Sequence, residues 1–392
     1  MSFLAYPATD RQKQLLALAG ELADTFAKRA DRDDWAGRFP VENYEDLRQS
    51  GYLTLTVPRD FGGWGASLLD VTLAQYRLGQ GCASTALVTG MHLMHIARLA
   101  AGLDGPDGWF TSICQAVVQD GALINVVASE PATGSPSRGG RPVTTARRQE
   151  DGSWLINGRK NFTTGSAILR FFLVSCSLED EVGATAGLPR LTSDRGNFLI
   201  ERSAQGLRIE ETWNTIGMRG TASNDLILEN VRVAASAYMG ERQMPHLSAW
   251  GLSVAALYLG IAQAARNEAV QFARQRRPNS LNQPIASVPH IQEKLAKMDL
   301  ALMQARAILF DVVEQFDDDP SRVTPAQFAT AKYLATNYAV EIVDLAMRLV
   351  GGASLSLNFS LQRHYRDVRA GLHHPPMDDT TIALLAKEAL EG

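Results

Sequence analysis

The sequence predicts an α+β fold that is mostly α, with a helical N-terminal domain (1–119), a central antiparallel β domain (120–234) and a C-terminal helical bundle (235–392). Two observations predict this order. Hydrophobic residues recur with helical periodicity at both ends of the chain, and between them the pattern changes to short strand-like runs. Because no helix-length segment separates those runs, we expect antiparallel pairing and not the parallel sheet of a nucleotide-binding domain.

The N-terminal segment has the pattern of several amphipathic helices. "DRQKQLLALAGELADTFAKRA" has one apolar face, and "VENYEDLRQSGY" follows it. The next two, "LLDVTLAQYRLGQGC" and "STALVTGMHLMHIARLAAG", each end close to glycine, as helices commonly do. A glycine-rich turn, "TVPRDFGGWG", precedes them.

The middle segment consists of strand-like runs separated by turn residues. The runs are "ALINVVAS", "SWLING", "FFLVSC", "NFLIER" and "LILENVRV". Asp151-Gly152 and Asn157-Gly158 are turn dipeptides of the hairpin kind. This part of the chain therefore predicts a β domain.

The C-terminal segment returns to long helices. One helix begins with Thr324 as its N-cap and Pro325 in its first turn, and it ends at Gly351-Gly352. Another carries an apolar stripe in steps of four and three, which predicts a bundle seam or a subunit interface. The stripe consists of Ile291, Leu295, Met298, Leu302, Ala305, Leu309, Val312 and Phe316. About four such helices are present, enough for a bundle.

Composition excludes several classes of protein. The 392 residues are 45% hydrophobic and 20% charged with a formal net charge of −4, which argues against a nucleic-acid partner. No signal peptide and no membrane-spanning apolar run is visible, so we expect a cytoplasmic protein. Cys82, Cys114 and Cys176 are too widely spaced for a disulfide framework or a metal site, and we expect no metal.

Three features carry candidate binding chemistry. The loop "ASEPATGSPSRGG" offers backbone N–H groups to a flat ring or a phosphate, although an ordinary surface turn would look the same. The segment "INGRKNFTTGSA" brings Phe162, Thr163 and Thr164 together, one aromatic face and two hydroxyls that suit a heteroaromatic ring. Arg276 and Arg348 stand at helix ends and suit a pyrophosphate.

Five motifs in order give the chain a resemblance to the acyl-CoA dehydrogenase superfamily over nearly its whole length. They are "VPRDFGGWG", "ASEPATGS", "NGRKNFTTGSA", "GMRGTASNDLILENVRV" and "LVGGASLSLNFSLQRHYRDVRA". The resemblance implies an all-α N-terminal domain, a central β-barrel and a C-terminal four-helix bundle. It also implies FAD, with FMN a weaker expectation, and a homotetramer.

The resemblance assigns cofactor contacts to positions that match the family's motifs. Residues expected to line or hold the isoalloxazine are Ala128, Ser129, Gly134, Ser135, Phe162, Thr163 and Thr164. Residues expected to approach the pyrophosphate and adenosine across a subunit boundary are Arg276, Arg348, Gly351 and Gly352.

The catalytic base of the dehydrogenases is missing from both places where the family keeps it. The usual glutamate position falls at Pro375, or at His374 if the register slips by one, and the alternative position falls near Trp250. The stretch "GLHHPP" resembles instead the superfamily's flavin monooxygenases, whose histidine matches His373 and whose N-terminal domain carries a histidine comparable to His92. We therefore predict catalytic roles for His373, His374 and His92.

Each of these residues also has a purely structural interpretation. His92 and His95 could be packed core histidines, the histidine pair could form only a turn, and Asp378 and Asp379 are better explained as caps of the last helix than as a displaced base.

Three hypotheses for the function remain open from the sequence. The first is an FAD-dependent dehydrogenase that acts on a small-molecule substrate, an acyl-CoA, and passes electrons to an electron-transfer flavoprotein. The second is a monooxygenase that uses O₂ and reduced flavin from a flavin reductase. The third is a protein that binds flavin or a thioester without turnover.

Overall fold

A computed structural model gives the structure of the chain and describes residues 6–102, 108–134, 139–180, 191, 193–240 and 245–391. The helices are α1 (Asp10–Ala36), α2 (Val41–Gln49), α3 (Leu68–Leu78), α4 (Ala83–Ala101), α5 (Trp109–Asp120), α6 (Leu252–Gln275), α7 (Pro289–Asp318), α8 (Pro325–Val350), α9 (Leu361–Asp367) and α10 (Asp378–Glu391). The strands are β1 (Leu123–Val127), β2 (Thr145–Arg148), β3 (Trp154–Thr163), β4 (Leu169–Glu179), β5 (Arg195–Glu201), β6 (Leu207–Glu210) and β7 (Asn224–Val233).

The N-terminal helices form where the sequence predicts them. Thr9 caps α1 in a capping box with Gln12, and Gly37 ends the helix at a φ of 61° that suits glycine. The apolar face of α1, which includes Leu15, Leu22 and Phe26, is buried against α3. The prediction of an α-helical N-terminal part is confirmed.

The central sheet is mixed and open, so the prediction of an antiparallel barrel is wrong in part. Its order is β1-β4-β2-β3-β7-β6, with β5 also paired to β4, and the described strands show no pairing between β1 and β6 that would close it. β1 and β2 both run parallel to β4. β2 and β3 are antiparallel, but β4 skips its sequence neighbour β3 and pairs with β2 in parallel.

The C-terminal bundle is built on α6, α7 and α8, with α10 packed on α8. The predicted stripe on α7 is buried inside this bundle, apart from the partly buried Leu295. It is therefore a bundle seam and gives no argument for a subunit interface. Thr324 caps α8 in a capping box with Gln327, and Pro325 is its first residue, as predicted.

One described helix, Ser248–Gln275, is long and apolar enough to cross a bilayer, but 78% of its most apolar window is buried inside the fold. It packs as a core helix against α3, α7 and α8. One hydrophobic core joins residues from all three parts of the chain, so the division at 119 and 234 stays a prediction. α4 touches β1 and α6, and a cavity opens where these three parts meet.

Candidate functional site

The cavity has a volume of about 930 Å³. Ligand pockets span about 300–1,000 Å³, so this one has room for a ring system together with a small substrate. Helices α4, α6 and α8 supply a largely apolar wall, which includes Leu87, Met91, Met94, Val254, Ala255 and Phe328. The loop after β1, the end of β3 and the segment around His373 supply the polar groups.

The loop after β1 is held by a buried ion pair. Glu130 is 2% exposed, and its carboxylate accepts hydrogen bonds from the backbone N–H groups of Val143 and Thr144. Lys160 of β3 is fully buried, and its Nζ lies 2.7 Å from Glu130 Oε1. The pair joins the "ASEP" loop to the "NGRKNF" strand and places Ala128, Ser129 and Gly134 on the cavity wall.

Glu130 keeps its negative charge at neutral pH, while burial lowers the pKa of Lys160. Burial alone would raise the pKa of Glu130, but the hydrogen bonds from Lys160 and the two N–H groups outweigh it and lower that pKa to about 2. A buried carboxylate with three such donors is an anchor for the loop and not a proton acceptor for a substrate.

Phe162 holds a strained and exposed position at the end of β3. Its φ is 51°, which is uncommon for a bulky residue, and the residue is 60% exposed. Its ring stands edge-on to Trp213 at 6.0 Å, and both residues line the cavity. Strain of this kind is concentrated at ligand sites, which supports the predicted ring contact.

A chain of hydroxyl groups continues this wall. Thr164 Oγ1 lies 2.9 Å from Ser223 Oγ, which lies 2.8 Å from Thr221 Oγ1, and all three residues line the cavity. Thr163 does not reach the cavity, because its side chain points into the protein and is fully buried.

The structure places His95, and not His92, on the cavity wall. His92 is fully buried, its Nδ1 accepts the N–H of Ile124, and its Nε2 lies 3.0 Å from Leu53 O, so both ring nitrogens are engaged by backbone. Burial lowers its pKa to about 4. The geometry gives no support to a catalytic His92. His95 lies one turn later and borders the cavity beside Asn125.

The histidine pair of "GLHHPP" lies on the opposite wall. His373 and His374 both border the cavity, and His374 Nε2 lies 2.7 Å from the hydroxyl of the buried Tyr258. Burial, and then the charges of Lys332 and His373, lower the pKa of His374 to about 4. His374 is thus neutral at physiological pH and a weak proton acceptor.

Lys332 on α8 contributes a buried ammonium to the same wall. Its side chain is 3% exposed, and Asp378 Oδ1 is 4.0 Å from Nζ. Asp378 begins α10, as expected of a capping region, and its Oδ2 accepts from Asn337. No motif in the sequence marks Lys332 as facing inward.

No carboxylate borders the cavity among the residues that the structure describes. The bordering charged and titratable groups are His95, Arg98, Tyr258, Lys332, Arg366, Arg369, His373 and His374. Pro375, at the position expected for the family's glutamate, borders the cavity, while Trp250, near the alternative position, contacts Phe316 and does not line it. The dehydrogenase base is absent from both expected places.

The predicted adenosine-side residues lie outside the cavity. Arg276 is exposed at the end of α6, and Arg348 is exposed and paired with Asp344. A Cβ on Gly351 or Gly352 would meet nothing within 4 Å in this chain. The structure does not bring these four residues to the ring site, and their predicted role stays a prediction. Ser135 lies outside the described residues.

The cavity wall fits a flavin ring. Asn161 borders the cavity, and its buried Oδ1 has no hydrogen-bond partner among the described residues. With the exposed Phe162 and the hydroxyl chain beside it, this wall offers one aromatic contact and several hydrogen-bonding groups to a heteroaromatic ring.

The chain belongs to the acyl-CoA dehydrogenase family. Its residues 9–102, 125–231 and 242–372 match the family's N-terminal, middle and C-terminal domain models. Members and structural neighbours bind FAD or FMN, and FAD is typical of the family.

Relatives and neighbours span different reactions. YdbM of Bacillus subtilis (strain 168), named provisionally as an acyl-CoA dehydrogenase, is 45% identical over 98% of both chains. The amino sugar nitrososynthase DnmZ of Streptomyces peucetius is 30% identical over 99% of this chain and 95% of its own. The FMN-bound structure of TdsC from Paenibacillus sp. A11-2 superposes with a TM-score of 0.82 at 25% identity, covering 94% of this chain and 95% of TdsC.

Proposed function

We propose that this protein is a flavin-dependent oxygenase that binds FAD and transfers an oxygen atom from O₂ to a small substrate. The observation that carries the proposal is the absence of any carboxylate on the cavity wall among the described residues. In balance, the substrate, O₂ and reduced flavin give the oxygenated substrate, water and oxidised flavin. A separate flavin reductase would supply the reduced flavin.

The missing carboxylate matters because α,β-dehydrogenation of a thioester requires a base for the α-proton. His374 is a poor candidate, since its pKa is lowered to about 4 and its Nε2 is engaged with Tyr258. Transfer of an oxygen atom does not require a carboxylate base that removes an α-proton from the substrate. The likeness to an amino sugar nitrososynthase is in keeping with this choice.

The chain's own residues have distinct tasks in this proposal. Phe162 and Thr164, which line the cavity, would contact the ring, and the Glu130–Lys160 pair fixes the loop that would border it. Bound there, a flavin would supply two-electron redox chemistry and, once reduced, reactivity toward O₂. The apolar side chains of α4 and α6 exclude water from the reacting region. His95 and Asn125 offer neutral hydrogen-bonding groups on the same side of the cavity.

A second candidate is dehydrogenation of an acyl-CoA with His373 as the base. His373 borders the cavity close to the family's base position at Pro375, and the structure gives its ring no hydrogen-bond partner among the described residues. This reaction would pass electrons to an electron-transfer flavoprotein. A homotetramer and a cytoplasmic location belong to both candidates as expectations.

The two candidates are separated by their need for oxygen. The FAD-loaded protein is supplied with a flavin reductase, NADH and ¹⁸O₂, and mixtures of small thioethers, phenols and amines are screened for ¹⁸O by mass spectrometry. The proposal expects one ¹⁸O atom per product molecule. Turnover of an acyl-CoA without O₂, with a dye as electron acceptor, would replace it with the second candidate.

A further inference from the structure

Lys332 has an unusual position for a lysine. It lies on α8 with its side chain 3% exposed, it borders the cavity, and its Nζ has no hydrogen-bond partner among the described residues. The nearest carboxylate oxygen, Asp378 Oδ1, is 4.0 Å away, which is too long for a hydrogen bond. Burying an ammonium group without hydrogen-bond acceptors costs free energy. Proteins keep such a group where a bound ligand supplies the acceptor.

Asp378 does not satisfy the donors of Lys332. Its Oδ2 accepts a hydrogen bond from Asn337 at 3.1 Å, while its Oδ1 is buried, lies 4.0 Å from Lys332 Nζ and has no hydrogen-bond partner among the described residues. The two groups attract each other by charge but are too far apart to form a hydrogen bond, so the N–H groups of Lys332 remain available to a ligand.

The surroundings of Lys332 suit a ligand with one anionic end. Tyr258 and His374 form a hydrogen-bonded pair on the neighbouring elements, close enough for the charge of Lys332 to lower the pKa of His374. Val254, Ala255 and Phe328 supply an apolar surface beside them. Since the described part of the cavity wall holds no carboxylate, its fixed charge is positive.

We propose that Lys332 binds an anionic group of the substrate, a carboxylate or a sulfur oxyacid attached to an apolar body. The inference rests on the proposed function, because it assigns to a substrate the part of the cavity that the flavin does not fill. It goes beyond that function in naming the substrate's charge and the residue that recognises it. Lys332 is then a specificity-determining residue, and a neutral compound of the same shape is a poor ligand.

The test measures binding and needs no turnover. Hexanoate, hexane-1-sulfonate and the neutral hexanamide are titrated into the FAD-loaded oxidised protein by calorimetry. We expect the wild type to bind at least one of the two anions tenfold or more tightly than hexanamide, and the stronger of the two anions identifies the oxyacid class. Lys332→Met should bind all three alike, and Lys332→Arg should keep part of the preference.

Two controls keep the result interpretable. Lys297→Met removes one positive charge from a 56%-exposed lysine on α7 and should leave the anion preference unchanged. The melting temperature of ligand-free Lys332→Met is measured as well, because the change leaves the buried Asp378 Oδ1 without the opposite charge 4.0 Å away. A lowered melting temperature with unchanged anion binding would mean that Lys332 is a structural partner of Asp378, and the proposal would fall.

Equal affinity of the wild type for hexanoate, hexane-1-sulfonate and hexanamide, or no detectable binding of any of them, would also overturn it. Because the titration uses no reductant and no O₂, its outcome does not depend on which reaction the protein catalyses. If FAD itself fails to bind, the proposed function fails, whereas the same titration on the flavin-free protein still measures the anion preference of Lys332.

Discussion

The buried Glu130–Lys160 pair should be the most sensitive structural point of the site. Glu130→Gln keeps the shape of the side chain but leaves the Lys160 ammonium, which is fully buried, without its counter-charge. Breaking a buried pair from one side costs about 3–5 kcal/mol. We therefore expect the free energy of unfolding to fall by that amount, as measured by urea denaturation followed by circular dichroism.

The same change should weaken flavin binding. Glu130 fixes the loop through Val143 N, Thr144 N and Lys160, so loss of its charge frees the residues that border the ring site. The double variant Glu130→Gln/Lys160→Met removes both charges and should recover part of the lost stability. A coupling free energy of about 1 kcal/mol or more in this double-mutant cycle is expected.

An exposed pair provides the matched control. Glu45 also has its pKa lowered to about 2, by hydrogen bonds from Arg48 and Gln49, but it stands in solvent. Glu45→Gln should leave unfolding unchanged within error, since exposed ion pairs contribute little. If Glu130→Gln were as mild as Glu45→Gln, the assignment of the buried pair as the anchor of the loop would be refuted.

Three further expectations concern the ring contact, the histidine pair and acid stability. Phe162→Ala and Phe162→Gly should each weaken FAD binding about tenfold in a fluorescence titration. Without FAD, the glycine variant should be more stable to unfolding than the alanine variant by about 1 kcal/mol, because the backbone at position 162 has a φ of 51°, which glycine adopts without strain. For dehydrogenation with His373 as the base, His373→Ala should lower turnover about 10²-fold with FAD still bound, and full activity in both this variant and His374→Ala would mean that the pair only forms a turn. Burial lowers the pKa of His92 and His374 to about 4 and that of His95 to about 3. Because the same histidines have a pKa of about 6.5 in the unfolded chain, the unfolded state takes up protons first as pH falls, and the melting temperature should decrease from about pH 6.5 to about pH 4. A melting temperature that stays constant over this range would contradict the prediction.

The helices and the bundle seam could be predicted because their signal is local. The α7 stripe repeats at helical spacing, and the caps at Thr9 and Thr324 stand directly beside the helices they begin. Five of the seven described strands fall in predicted runs, whereas β2 and β6 were not predicted and the predicted turn at Asn157-Gly158 lies inside β3. The parallel pairing of β1 and β2 with β4 was not predicted, because sheet order depends on which distant strands meet, and turn residues give no information on that.

Part of the site could be found from the sequence for the same reason. Phe162 and the pair His373-His374 stand in motifs, and the structure places all three on the cavity wall. The prediction named His92, but His92 and His95 lie on one face of α4 and the sequence does not distinguish them. Only the structure shows that the backbone of Leu53 and Ile124 engages both ring nitrogens of His92.

Lys332 was missed because nothing nearby marks it. It stands in "TAKYLATNYA", where a lysine on an alanine-rich helix ordinarily faces solvent. Its burial follows from the way α10 and the segment at Gly371 fold over α8, contacts that are remote from the helix's own pattern. The Glu130–Lys160 pair was hidden in the same way, since its partners are thirty residues apart and lie in different motifs.

The most direct test of the central claim is an anaerobic absorption titration of the FAD-loaded protein with hexanoyl-CoA and other acyl-CoAs of different chain length, with a short-chain acyl-CoA dehydrogenase as positive control. The cavity has no carboxylate among its described bordering residues to remove an α-proton, so the account predicts that the oxidised flavin band stays unbleached while the control bleaches. Bleaching of this protein's flavin by any of these acyl-CoAs in the absence of O₂ would contradict the account and identify the protein as a dehydrogenase with an unusual base.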